Sequence, residues 1–141
     1  MLCKQIMKRD IATVMSDVPI QTAAAKMRAA NIGFLPVCDA EGRAVGAVTD
    51  RDIALRIVAE DRPASTRVEE VMTREVIACR PADDVHRAEQ LMGRYKKSRI
   101  ICVDDEGYPV GVISLSDIAQ HESSEQTART MRRVTMREVH P

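Results

Sequence analysis

The chain has 141 residues, of which 21 are basic and 21 acidic, so its formal net charge at pH 7 is zero. A balanced charge argues against a dedicated nucleic-acid binder, because such proteins usually concentrate basic residues on one face. One Phe, two Tyr and no Trp also leave too few rings for the stacking platform of single-strand binders. We therefore expect no nucleic-acid partner.

The composition is that of a globular protein, with 45% hydrophobic and 30% charged residues. No apolar run approaches the roughly 18 residues that span a bilayer, and the opening MLCKQIMKRD lacks the apolar core of a signal peptide. We expect a cytoplasmic protein with no membrane partner. Cysteines stay reduced in that compartment, and three of them lie in apolar runs typical of a buried core: Cys38, Cys79 and Cys102.

The first half of the chain predicts the element order β-α-β-β-α. A short apolar strand at 11–14 precedes an amphipathic helix at about 19–31. Two strands follow at 34–38 and 44–48, joined by the polar link DAEGR, whose glycine suits a hairpin turn. A final helix begins at Thr49.

The second half predicts the same order. A strand at 76–79 precedes a helix at 82–96, and two strands at 99–103 and 109–113 are joined by DDEGY. The last helix begins at Ser114. Strands mixed with helices in this order indicate an α/β (α+β) fold with helices packed against a small sheet.

The two halves are copies of one unit. Shifting the chain by 65 positions aligns them without a gap, and 12 of the positions from 7 to 54 are then identical. The identical pairs are Met7/Met72, Arg9/Arg74, Ala23/Ala88, Met27/Met92, Asp39/Asp104, Glu41/Glu106, Gly42/Gly107, Val45/Val110, Gly46/Gly111, Asp52/Asp117, Ile53/Ile118 and Ala54/Ala119. The chain is therefore a tandem duplication.

Each copy has only about 60 residues, too few to bury much apolar surface alone. We expect the halves to pack about a pseudo-two-fold axis, and such paired halves to create paired clefts for ligands. We place the first domain at 1–62, the second at 63–122 and a C-terminal tail at 123–141. The tail predicts a short amphipathic helix through Ala128, Met131 and Val134–Thr135 that packs on a dimer partner, or else disorder.

A hydroxyl and a carboxylate recur at the start of the last helix in each copy. The Thr49-x-x-Asp52 and Ser114-x-x-Asp117 spacings are those of a capping box, in which each side chain satisfies a free backbone N–H. A nucleotide site can use the same pair of residue types for other reasons. Duplication copies caps as readily as sites, so both interpretations stay open.

The segments FLPVCDAEGRAVGAVTDRDIA and RIICVDDEGYPVGVISLSDIA resemble the core motif of cystathionine-β-synthase (CBS) domains. VEEVMTREVIACRPADDVHRAEQLM resembles the opening strand and first helix of the same family, and the resemblance covers about residues 3–121. It implies a tandem CBS pair, or Bateman module, assembled as a homodimer. It also implies clefts for adenosine-containing ligands such as AMP, ADP, ATP, NAD or S-adenosylmethionine, none of them an obligatory cofactor.

The resemblance assigns roles to particular residues. It implies ribose contacts by Asp52 and Asp117 and phosphate contacts by Thr49, Ser114 and Arg99. It places adenine against main-chain groups of the first strand of each copy, at Ala12, Thr13, Ile77 and Ala78. The residue that corresponds to Arg99 in the first copy is Phe34, which carries no charge, so we expect the two clefts to differ and a ligand to bind first near Asp117.

Catalysis and metal binding have little support in the sequence. No nucleophile–base arrangement stands out, so we expect no enzyme. His86 follows Asp83 and Asp84, but no second histidine lies at a productive spacing, and we expect no metal site.

The leading hypothesis is a stand-alone regulatory CBS pair that binds an adenosine-containing ligand in the inter-domain cleft and signals to a protein target by conformational change. The alternative hypothesis is a ligand-independent interaction or dimerisation module with vestigial clefts.

Overall fold

A computed structural model describes residues 1–136 and divides the chain into two compact units. One unit is Ala12–Val76, and the other combines Met1–Ile11 with the chain from Ile77 onward. Each unit contains a three-stranded sheet and helices, which confirms the predicted mixed α/β class. The first 11 residues include the start of the first repeat in the chain, yet they pack with the second one. The predicted boundaries at 1–62, 63–122 and 123–141 stay a prediction.

The described elements follow the predicted order. The strands are β1 Val14–Met15, β2 Phe34–Cys38, β3 Ala44–Thr49, β4 Ala78–Cys79, β5 Arg99–Val103 and β6 Pro109–Ser114. The helices are α1 Cys3–Ile6, α2 Ile20–Ala30, α3 Asp50–Ile53, α4 Val85–Tyr95, α5 Leu115–His121 and α6 Ser124–Thr135. A π-helical turn, Ala54–Val58, continues α3, and a 3₁₀ turn spans Val68–Glu70.

The opening strand of each repeat is shorter than predicted. β1 and β4 have two residues each, because only two residues of each pair with the parallel neighbour, β2 or β5. The hairpin strands, which pair along their whole length, match the prediction at β2 and β5 and extend it by one residue at β3 and β6. Neither α1 nor the 3₁₀ turn was predicted.

Each sheet has the same topology, with the middle strand parallel to its first neighbour and antiparallel to its second. The hairpin turns place Gly42 at φ 90° and Gly107 at φ 93°, a left-handed conformation that glycine adopts without strain. All five residues of β2 are buried. All four cysteines are buried and form no disulfide, which confirms the predicted place of Cys38, Cys79 and Cys102 in the core and adds Cys3 to them.

The polar tail forms the predicted helix, α6, and part of its predicted apolar face is buried. Ala128 and Met131 are exposed, whereas Thr130 and Val134 are buried. Thr130 is accommodated because its hydroxyl donates to the carbonyl of Gln126. α6 packs on α4 of the same chain, and residues 137–141 lie outside the described part. Within residues 1–136, no helix combines the length and apolar character needed to cross a membrane.

A short backbone segment pairs with the outer strand of each sheet. Lys8 forms an antiparallel bridge with Val112 of β6, and Thr73 forms the equivalent bridge with Ala47 of β3. Both pairs exchange two backbone hydrogen bonds of 2.9–3.0 Å. The neighbouring glycines permit this approach: a Cβ on Gly46 would lie 2.3 Å from the carbonyl oxygen of Thr73, and one on Gly111 would lie 3.0 Å from that of Lys8.

Substituting these glycines tests the docking. We expect Gly46→Ala to lower the free energy of unfolding by about 1–3 kcal/mol, because the new methyl group meets a backbone carbonyl that cannot move alone. Gly111→Ala is the matched variant, and its nearest obstacle is the flexible thioether of Met7 at 2.6 Å. We expect a smaller loss there. Urea unfolding of both variants measures the difference, and an unchanged Gly46→Ala protein would contradict the close packing.

Candidate functional site

The first hydroxyl–carboxylate pair closes the N-terminus of α3. The backbone N–H of Thr49 donates to Oδ2 of Asp52 at 2.9 Å, and the backbone N–H of Asp52 donates to Oγ1 of Thr49 at 3.1 Å. This reciprocal arrangement is a capping box, so the capping interpretation is confirmed. Both side chains remain partly exposed.

The second pair closes the N-terminus of α5 with an additional bond. The backbone N–H and the hydroxyl of Ser114 both donate to Oδ2 of Asp117, at 2.9 and 3.0 Å. The backbone N–H of Asp117 donates to the Ser114 hydroxyl oxygen at 3.2 Å. The docked segment then brings Nζ of Lys8 to 3.3 Å from Oδ1 of Asp117. Asp117 is only 3% exposed, and both of its carboxylate oxygens are engaged.

The first pair has no such cation. Among residues 1–136, Oδ1 of Asp52 makes no hydrogen bond or ion pair. The residue equivalent to Lys8 in the other repeat is Thr73, which carries no charge. Asp50 adds an exposed carboxylate where the second repeat has Leu115. The edge formed by Thr49, Asp50 and Asp52, which we call the first edge, is therefore acidic and has a free carboxylate oxygen.

The edge formed by Arg99, Ser114 and Asp117, which we call the second edge, has the opposite character. Arg99 begins β5 and lies directly across from Ser114 of β6, so their side chains share one face of the sheet. Arg99 is exposed and makes no ion pair within the described part of the chain. Phe34 takes the equivalent position across from Thr49 and is 9% exposed. An exposed guanidinium therefore marks the second edge, and a largely buried ring marks the first.

The residues expected to contact adenine lie at the same end of each sheet as the capping pairs. Ala12 and Thr13 directly precede β1, Ile77 directly precedes β4, and Ala78 begins β4. Because β1 is parallel and β3 antiparallel to β2, the start of β1 and the end of β3 point to one end of the sheet. All four residues are partly buried. The carbonyl of Thr13 already accepts a hydrogen bond from Nζ of Lys26 at 2.7 Å.

Sequence analysis did not find Lys8. Its side chain is exposed, and its partner Asp117 lies more than a hundred residues further along the chain. In the sequence, Lys8 carries a charge and its equivalent in the second repeat, Thr73, does not. That difference by itself does not predict a contact with Asp117.

Comparison with known proteins places this geometry in a family. The family model for the CBS domain matches residues 3–59 and 68–124. The CBS domain-containing protein YhcV of Bacillus subtilis (strain 168) is 38% identical over 125 residues, which cover 89% of this chain and 88% of YhcV.

Solved structures with the same fold contain adenosine compounds. The CBS domain pair of protein MJ0100, in complex with 5′-methylthioadenosine and S-adenosyl-L-methionine, is 32% identical with a TM-score of 0.77, covering 85% of this chain and 94% of that one. The CBS domain protein PAE2072 from Pyrobaculum aerophilum, complexed with AMP, shares the fold at 22% identity and a TM-score of 0.80, covering 93% and 98%. With two matches in tandem, the chain belongs to the CBS domain family.

Proposed function

We propose that this protein is a regulatory CBS pair that binds an adenosine-containing small molecule, with Asp52 as the residue that receives the ribose. The observation that carries the proposal is the half-engaged carboxylate of Asp52: Oδ2 caps α3, while Oδ1 has no partner in the described residues. A carboxylate in this state accepts hydrogen bonds from ribose hydroxyls without breaking its helix cap. The adenosine compounds bound by the relatives support the same ligand class.

The remaining contacts follow from the chemistry of the two edges. The Thr49 hydroxyl accepts from the Asp52 N–H, and its own hydrogen is available for a phosphate oxygen. At the second edge, Arg99 supplies a charge suited to phosphate. The Ser114 hydroxyl already donates to Asp117. A ligand that used Ser114 and Asp117 would therefore have to displace the ammonium of Lys8.

The displacement of Lys8 offers a route from binding to signalling. Lys8 belongs to the segment Met1–Ile11, which docks on β6 beside Asp117. A ligand shifts such an equilibrium only if it binds the docked and released arrangements with different affinity. A second ligand molecule, separate from the one at Asp52, would meet that condition if it replaced Lys8 at Asp117. Adenine would lie against Ala12 and Thr13 or against Ile77 and Ala78, and an unidentified protein would detect the change.

A panel of ligands tests the assignment to Asp52. We expect at least one of AMP, ADP, ATP, NAD and S-adenosylmethionine to stabilise the protein by about 2.7 kcal/mol at a hundredfold excess over its Kd, measured by thermal unfolding. Asp52→Asn keeps an oxygen for the helix cap but removes the charge, and we expect roughly tenfold weaker binding, about 1.4 kcal/mol. Asp117→Asn is the matched control and should change affinity much less. Equal losses in both variants, or no shift with any ligand, would refute the proposal.

Arg99 is tested by comparing ligands with and without phosphate. We expect Arg99→Gln to reduce the thermal shift given by AMP while leaving that of 5′-methylthioadenosine intact, because only the former presents an anion to the guanidinium. Arg99 is exposed and makes no ion pair in residues 1–136, so the variant should fold normally. Parallel loss of both shifts would assign Arg99 a structural role instead.

A second candidate function, a dimerisation or interaction module, is favoured by apolar exposure on the turn that follows α3. Leu55 is 48% exposed and Val58 73% exposed, and both lie within Ala54–Val58. Exposed aliphatic side chains on one short turn suit contact with a second copy of the chain. This surface is compatible with ligand binding, so a homodimeric sensor combines both functions.

The oligomeric state tests this surface. We expect the native chain to sediment as a dimer and the double variant Leu55→Ser/Val58→Ser to sediment as a monomer, because the substitution removes the apolar contact. Met131→Ser is a matched control, since Met131 is also 48% exposed but lies on α6. A native monomer, or a double variant that still dimerises, would contradict the assignment.

A further inference from the structure

Three ligand-type side chains converge where α4 meets the end of α5. His86 and Glu89 lie one turn apart on α4, so they share one face of the helix. Glu122 is the residue that ends α5. One ligand atom from each of the three lies within 4.8 Å of the others. This cluster lies at the opposite end of α5 from Ser114 and takes no part in the edges described above.

Glu89 is the unusual member, because it is a carboxylate with only 2% exposure. Its Oε2 accepts a hydrogen bond from Nε2 of Gln126 at 2.5 Å. Its Oε1 is shielded from solvent and has no hydrogen-bond partner in the described residues. A buried carboxylate oxygen without a partner is costly, so the site requires a positive group that would engage it.

His86 is oriented in a way that suits a cation. Its Nδ1 lies 3.2 Å from Oδ1 of Asp84, and its Nε2 lies 3.6 Å from Oε2 of Glu122. With a hydrogen on Nδ1 donated to Asp84, Nε2 presents its lone pair toward the carboxylate of Glu122. In that tautomer two electron-rich atoms face each other, and either a hydrogen on Nε2 or a metal ion between them satisfies both. A carboxylate behind the ring is also the usual outer support of a metal-binding histidine.

We propose that His86, Glu89 and Glu122 bind a divalent transition-metal ion, with Zn²⁺ the best match. One imidazole nitrogen and two carboxylate oxygens form a three-ligand set that leaves a fourth position for water. The two negative charges balance the charge of the ion. The 64% exposed side chain of His86 gives the ion access from solvent. The sequence paired His86 with Asp83 and Asp84 and predicted no metal, whereas the fold supplies Glu89 and Glu122 as its partners.

A proton is the competing occupant of the cluster. The pKa of the Glu89 carboxyl is raised to about 7, chiefly by burial and also by the neighbouring Glu122, while the hydrogen bond from Gln126 lowers it. A proton shared between the two carboxyls would neutralise one charge but would leave the His86 lone pair unused. A bound metal ion and a shared proton therefore give different results when the protein is titrated with Zn²⁺.

Zinc titration of the full chain separates these cases. After treatment with EDTA and dialysis, we expect isothermal titration with ZnCl₂ near neutral pH to show one ion bound per chain at this cluster. His86→Ala and Glu89→Gln should each weaken binding roughly tenfold or more. The matched control is Glu125→Gln, an exposed carboxylate on α6, which should bind as the native chain does. Zn²⁺ should also raise the melting temperature of the native and control proteins but not of His86→Ala.

Substitution with Co²⁺ identifies the ligand type. We expect visible d–d bands without the thiolate charge-transfer band that cysteine ligands would give. Failure of the native chain to bind Zn²⁺, or unchanged affinity in both His86→Ala and Glu89→Gln, would overturn the proposal. An increase in the stability of Glu89→Gln without any zinc binding by the native chain would assign the cluster to the proton instead. His86 is exposed, so His86→Ala remains informative even if Glu89→Gln folds poorly.

Discussion

The close approach of a backbone segment to the outer strand of each sheet is the constraint on which the chemistry of this protein depends. Gly46 and Gly111 leave room for that approach, and no larger residue could stand at Gly46 without meeting the carbonyl of Thr73. The bridges use backbone atoms alone, so they form with any side chain at the bridging position. The residue at that position, Lys8 or Thr73, is thereby held at the edge of its sheet. Main-chain hydrogen bonds therefore decide which side chain lies beside the second carboxylate.

The duplicated capping pairs have diverged through this docking. The second carboxylate, Asp117, is buried and neutralised by Lys8, and it accepts two donors from Ser114. The first carboxylate, Asp52, keeps the cap but has a free oxygen and an acidic neighbour in Asp50. One duplicated motif thus yields a cationic second edge with an engaged carboxylate and an acidic first edge with an available one.

The helix α5 connects two features of the second unit. Its first turn holds Asp117 with Lys8, and its end carries Glu122 beside Glu89. The helix has seven residues, about 10 Å at 1.5 Å per residue. An ion at one end would hold α5 against α4, while exchange of Lys8 at the other end would change its surroundings. The proposed metal site and the second edge therefore act on the same rigid element.

Local pattern was enough to predict much of this molecule. The 65-residue repeat, the order of strands and helices, the hairpin turns and both capping pairs follow from spacing and turn chemistry, which act between residues close in the chain. The short β1 and β4 were overestimated because strand length depends on a partner that the local sequence does not contain. The apolar face predicted for α6 is met only in part, since Val134 is buried whereas Met131 is exposed, and which side of α6 is covered depends on its packing against α4.

The contacts that distinguish the two edges arise only on folding. Lys8 contacts Asp117, and Glu122 lies beside His86 and Glu89. These residues are far apart in the chain, so the periodicity of the sequence could not predict that they come together. A repeat shows which residues are equivalent, but the free energy of a buried carboxylate depends on the charge placed beside it in space. The sequence alone therefore identified the motif residues. Which carboxylate keeps a free oxygen and which one is paired with a cation was decided by the tertiary structure, because folding determines which segment lies beside each of them.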